Sequence, residues 1–144
     1  MNLLQRENVQ ILEQASDWKD AVRKAVAPLE KGGYVEARYK EEIIRNVENM
    51  GPYIVIAEHI ALPHARPEQG VHQTQIGVTL YRKEVLFDGK DMPASLFITL
   101  AAADNNSHLD ALMAVSELLA DEDKVQEILD VADAEQLYMY FENL

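Results

Sequence analysis

A chain of 144 residues with 25 acidic and 13 basic side chains carries a formal net charge of −12, which disfavours nucleic acid and anionic membrane surfaces, since both bind clustered cations. Hydrophobic residues at 48% and charged residues at 26% exclude a disordered chain. The length suits one domain, residues 1–144, that buries roughly 70% of the surface its unfolded chain exposes. With no cysteine, disulfides, thiolate metal sites and cysteine catalysis are excluded. Apolar runs of only a few residues fall far short of the roughly 20 needed to span a bilayer. The start, Met1 to Glu7, lacks a basic segment followed by a long apolar one, so a cytoplasmic protein is expected. Acidity favours solubility and a partner with a basic docking face.

In chain order, Val9, Ile11 and Leu12 suggest a short strand over Glu7 to Glu13, with a helical turn as the alternative. Ser16 or Asp17 can cap a helix in which Trp18, Ala21, Val22, Ala25, Val26 and Leu29 share one face. Gly32-Gly33 stops it, and Pro28 is expected to shorten or kink its last turn. A second helix is predicted from Glu36 to Met50. Its Ile43, Ile44 and Val47 turn inward, while Lys40, Glu41, Glu42, Arg45 and Glu48 form the solvated face. Strand signals follow at Tyr53 to Ala57, at Gln75 to Tyr81 and at Leu96 to Leu100, with a turn at Phe87-Asp88-Gly89-Lys90 between the last two. A helix then spans Ser107 to Ala120. Asp121 can cap another containing Val125, Ile128 and Leu129, and a terminal helix holds Leu137, Tyr138, Tyr140 and Phe141. Helices before, strands in the centre and helices after predict an α/β domain: a mixed sheet of about five strands flanked by helices on both faces.

The chain is organised around Ile54 to Pro67, where two short runs of strand-forming residues lead through Pro63 to His64. Proline fixes its own φ near −65° and biases Leu62 to an extended conformation, so the approach to the imidazole is stiff. A stiff approach suits a side chain that must meet a reacting group repeatedly in one geometry.

The run Ile60-Ala61-Leu62-Pro63-His64-Ala65 resembles the active-site signature of the enzyme IIA components of the bacterial phosphoenolpyruvate-dependent sugar phosphotransferase system, in the mannitol/fructose-type superfamily. Gly51 to Ala57 before it and Ala65 to Val71 after it resemble the ascorbate and galactitol-like branch. Asp104-Asn105-Asn106-Ser107-His108-Leu109 is similar to the family's second histidine at a helix start, so the likeness covers nearly the whole chain. The resemblance implies the same fold and a phosphocarrier for ascorbate or a related sugar. His64 would take a phosphoryl group from the phosphohistidine of HPr and hand it to the cysteine of a cognate enzyme IIB, with the membrane component IIC reached only indirectly. No metal or organic cofactor is implied, and no nucleic acid partner.

A neutral imidazole presents one unprotonated nitrogen at neutral pH and is a good leaving group once protonated, which suits His64 to a phosphoryl relay. The ordinary alternative is a strand-end histidine with a local hydrogen bond. His108 falls in the first turn of a helix, where free N–H groups suit an anion, and is expected to stabilise the phosphoryl group. Arg66 lies two residues beyond His64, where it either orients toward the same phosphoryl group or faces solvent or Glu68. The mannitol and fructose branches carry an assisting arginine upstream of the motif. Here the upstream candidate is Arg45, in the second helix and without a matched position. His59 and His72 are assigned structural or rim positions.

Two other functions compete. One is a regulatory enzyme IIA whose phosphorylation state is read by other proteins. The other is a zinc-dependent hydrolase using His59, His64, His72 and His108 with Asp104 or Glu58, but no His-Glu-x-x-His or comparable ligand spacing appears. A Gly-rich phosphate loop is also missing from the sequence.

Overall fold

The computed structural model describes residues 3–88 and 91–142. The Gly89-Lys90 half of the expected turn lies outside the described residues. Strand β1, Leu4–Leu12, precedes helix α1, Trp18–Lys31. Asp17, of the two candidates, is the cap: its carboxylate accepts the Asp20 N–H at 2.8 Å, while the Ser16 N–H donates to Asp20. Helix α1 runs past Pro28 to Lys31. The Lys24 carbonyl, deprived by proline of its intrahelical donor, instead accepts Gln10 Nε2 at 2.9 Å.

Helix α2, Arg38–Met50, buries Tyr39, Ile43, Ile44 and Val47. It ends at Gly51, whose φ of 85° is one that glycine adopts without strain. Of its expected solvated face, Arg45 and Glu48 are exposed, whereas Lys40, Glu41 and Glu42 are half-buried by ion pairs and neighbouring turns.

The strand signal at Tyr53 to Ala57 is realised from Val55, and the second run leading to His64 forms a strand of its own. Strands β2, Val55–Ala57, and β3, His59–Ala61, pair antiparallel around a reversal at Glu58-His59. His59 takes a left-handed φ of 73° there. No Gly, Asn or Pro marks this turn, so periodicity alone reads through it. Strands β4, Gln75–Val85, and β5, Ala94–Ala101, are each longer than their apolar signals.

The five strands form one mixed sheet in the order β1-β4-β5-β3-β2. β1 runs parallel to β4 and β3 parallel to β5, while β4 and β5 are antiparallel. Tyr81 and Phe97 pack beneath α1 and α2. On the other face, Ile76, Val78, Leu96 and Ile98 pack under helices α3, Asn105–Leu119, α4, Glu122–Leu129, and α5, Ala134–Phe141. The apolar positions of α3 divide: Ala111 and Val115 are buried, whereas Leu109 and Met113 face solvent.

Because β3 and β5 are parallel neighbours, their C-terminal ends emerge side by side. One continues to His64 and the other to Asp104 and α3. That juxtaposition builds the site.

Candidate active site

The segment leaving β3 is held at each residue by a partner distant in sequence. Leu62 N donates to Ile54 O at 2.7 Å, and Leu100 N donates to Pro63 O at 2.9 Å. The Tyr53 hydroxyl donates to His64 O. Ala65 N donates to the buried Tyr39 hydroxyl at 3.0 Å, and that hydroxyl donates to Leu100 O at 2.8 Å. Burial pushes the Tyr39 phenol up, so it stays a neutral donor. Proline was the expected source of rigidity, but two tyrosines and the end of β5 supply much of it. Tyr39 was legible in principle: it stands at i−4 to Ile43 and i−8 to Val47 on the buried stripe, and a buried tyrosine needs a partner for its hydroxyl.

His64 is half-buried. Its Nδ1 lies 2.5 Å from the Leu62 carbonyl oxygen. A carbonyl only accepts, so Nδ1 carries the proton and Nε2 keeps the lone pair of the neutral ring. Burial, more than the neighbouring His108, holds the imidazole below the ordinary histidine range; the Leu62 carbonyl works in the opposite sense. Tyr53 packs edge-on at 5.1 Å between ring centroids, and the His108 ring lies at 5.5 Å.

These rings line a cleft of about 250 Å³ together with Asn46, Arg66 and Asn105. None of its lining residues bears a carboxylate, in a chain of net charge −12. Asp104 stands just outside. Its carboxylate caps α3 by accepting Ser107 N at 2.7 Å, a bond that holds its acidity on the ionised side. His108 is the fourth residue of α3, with its N–H bonded to Asp104 O at 3.1 Å. His64, His108 and Arg66 thus come together.

Arg66 is exposed at the rim, and no ion pair engages its guanidinium among the described residues, Glu68 included. Arg45 instead pairs with Glu42 at 3.1 Å, and Asn46 is the neighbouring α2 residue that reaches the cleft. His59 stands elsewhere, between Glu58 at 3.6 Å and Glu84 at 3.5 Å, and His72 lies beside Glu36 at 3.6 Å. Among the described residues no three His, Asp or Glu side chains are placed to hold a metal ion, so the donor set of the hydrolase reading is not assembled. Tyr39 and Asn46 were not singled out from sequence, and Tyr53 and Asn105 appeared only as members of quoted runs with no role at the site, because a neutral polar residue does not declare its partner.

The family model described as phosphoenolpyruvate-dependent sugar phosphotransferase system, EIIA 2, matches residues 2–144. The Escherichia coli (strain K12) mannitol-specific cryptic phosphotransferase enzyme IIA component is 36% identical over 130 residues, 90% of this chain and 88% of the relative. An ascorbate-specific EIIA component of the same organism is 34% identical over 143 residues, covering 92% and 93%. The solution structure of the cryptic mannitol protein superposes with a TM-score of 0.92 at 33% identity, covering 99% of this chain and 97% of that one. Enzyme IIAMTL of Escherichia coli, solved in complex with phosphorylated enzyme IIBMTL, gives 0.85 at 25% identity, covering 99% and 100%. No helix among the described residues is long and apolar enough to cross a membrane. With a matching family model over nearly its full length and the same fold in solved relatives, the chain belongs to the EIIA type-2 family of phosphocarriers of the phosphoenolpyruvate-dependent sugar phosphotransferase system.

Proposed function

We propose that Nε2 of His64 accepts a phosphoryl group from the phosphohistidine of HPr and passes it to the cysteine of a cognate enzyme IIB, in the cytoplasm, within a system for ascorbate or a related sugar. The observation that carries this reading is the bond from Nδ1 to the Leu62 carbonyl, in a histidine that lines a cleft without carboxylates. As Nε2 forms its bond to phosphorus, the donor's phosphorus–nitrogen bond breaks and the electron pair returns to the donor imidazole. His64 keeps its Nδ1 proton throughout, so its ring becomes cationic and the Leu62 carbonyl stabilises that charge. A cationic ring is the better leaving group for the second transfer, in which the IIB thiolate attacks phosphorus and His64 recovers its lone pair. His108 and Arg66 offset the roughly two negative charges that arrive with the group. The IIB partner finds support in the complex of the structural relative with phosphorylated enzyme IIBMTL.

Incubation with phosphoenolpyruvate, enzyme I and HPr should add one acid-labile, base-stable phosphoryl group, absent in His64→Ala. Labelling of folded His64→Ala equal to wild type would overturn the assignment. In His108→Ala the label should still form, but about a hundred- to a thousandfold more slowly, the usual loss for one donor to a developing anion. Unchanged kinetics would give His108 a structural role only.

A further inference from the structure

We infer that Gln69 is a positioning residue that sets the Arg66 guanidinium at the mouth of the phosphoryl cleft, acting from a polar stripe along α2. This rests on the reading of His64 as the phosphorylated residue. Arg66 begins a tight 3-10 turn over Pro67–Gln69 that ends at Gly70, where φ is 126°. Within it Gln69 Oε1 accepts two hydrogen bonds, from Arg66 N at 2.9 Å and from Asn46 Nδ2 at 3.1 Å. Gln69 Nε2 returns one to Asn46 Oδ1 at 3.3 Å and reaches Glu42 Oε2 at 3.4 Å. Arg38 Nη2 donates to Glu68 O at 2.9 Å, from one turn earlier on the helix. Arg38, Glu42 and Asn46 are spaced four apart, so one stripe of α2 grips the turn at three successive levels.

Charge follows the same wiring. Arg45 pairs with Glu42 at 3.1 Å, and Arg38 pairs with Glu36 at 2.9 Å and reaches Glu42 at 3.5 Å, so both α2 guanidinium groups are engaged by carboxylates. Arg66, on the rim and free of ion pairs among the described residues, is left as the strong cation able to meet an arriving phosphoryl group. Its backbone nitrogen is the atom Gln69 holds. Loosening that nitrogen frees the turn to move the guanidinium, and displacement of a charged donor by about 1 Å costs on the order of ten- to a hundredfold in transfer rate.

The test is single-turnover transfer from phospho-HPr to wild type, Gln69→Met, Gln69→Glu, Arg66→Ala and the Gln69→Met/Arg66→Ala pair, with thermal melts alongside. Methionine keeps the volume and removes all four side-chain hydrogen bonds, the two that Oε1 accepts and the two that Nε2 donates. Glutamate keeps the acceptor for Arg66 N and Asn46 but sets a carboxylate oxygen 3.4 Å from that of Glu42, so it is made together with Glu42→Gln and compared with Glu42→Gln alone. The maximal rate should fall about tenfold or more in Gln69→Met, with half-saturation nearly constant, and should recover in part in Gln69→Glu. In the Arg66→Ala background the methionine change should add almost nothing, because coupled residues are not additive. An equal further loss in that background, or an unchanged rate beside a lowered melting temperature, overturns the inference. Should Gln69→Met fail to fold, the same comparison with Gln69→Glu decides, since a loss there as deep as in Arg66→Ala contradicts the acceptor role. Absence of label on wild-type His64 would instead strike the proposed function.

Discussion

The proposed nucleophile, Nε2 of His64, can act only while it is unprotonated, and half-burial helps by disfavouring the charged ring. In the unfolded chain this histidine protonates near its ordinary value of 6.5, and in the fold below it. Between those two values the unfolded state holds the extra proton. The associated stability is therefore complete above 6.5 and is lost as pH falls through the lowered value. An NMR titration of unphosphorylated protein should place the His64 midpoint below 6.5, and the rate of phosphoryl acceptance should decline on the acid side with that same midpoint. Burial is the leading cause and His108 the smaller one, so His108→Gln should raise the midpoint only part of the way back. A midpoint above 6.5 would mean that the Leu62 carbonyl outweighs burial.

At the scale of elements, the site is a junction. The N-terminal half of α2 contributes Tyr39, the ends of β3 and β5 bring the backbone groups that Tyr39 bridges, and α3 delivers His108. Replacing Tyr39 by Phe leaves the ring packing but strips partners from Ala65 N and Leu100 O, both buried. Each such group normally costs about 1–3 kcal/mol when unsatisfied. Urea unfolding of Tyr39→Phe should show a loss of about 2–6 kcal/mol for the two groups together, and transfer should slow because the His64 to Arg66 segment loses a tether. A variant as stable as wild type would show that water enters and replaces the hydroxyl. The capped helices and the alternating strands were legible, since caps and periodicity are local signals: Asp17 and Asp121 cap as their sequence positions imply, Asp104 is the cap within the run Asp104 to Ser107, and Asp133, not singled out from sequence, caps α5 in the same way. The β2–β3 reversal was not, because it depends on β5 offering a parallel neighbour to β3, with His59 N bonded to Pro93 O at 2.8 Å.

Across the whole molecule, a −12 chain keeps carboxylates off the lining of one cleft and sets exposed apolar side chains near it. Met50 lines that cleft at 65% exposure, and Leu109 and Met113 lie on the helix that carries His108, at 58% and 63%. Donor and acceptor must each reach the same imidazole, so HPr and IIB should compete for overlapping, modest contacts. Raising salt from low to physiological levels should slow encounter with HPr while the maximal rate stays nearly constant. Simultaneous binding of HPr and IIB at undiminished affinity would show two separate surfaces.

Local chemistry determined most of the secondary elements and the mixed α/β class, and it singled out His64 and His108 as candidates, because caps, apolar periods and a proline-led histidine act through residues adjacent in sequence. The resemblance to the family was legible for the same reason. Tertiary structure alone decided how the segment leaving β3 is pinned, by Ile54, Leu100 and Tyr53, while the Leu62 carbonyl at Nδ1 leaves Nε2 free. It also decided that Arg66 faces the cleft with no ion pair among the described residues, and that neutral Tyr39, Asn46 and Gln69 bond to the segment around it. The Leu62 contact spans only two residues, but Tyr39 and Ala65 are 26 apart and Asn46 and Gln69 are 23 apart, and a hydrogen-bonding side chain declares such a partner only once the fold has brought it within reach.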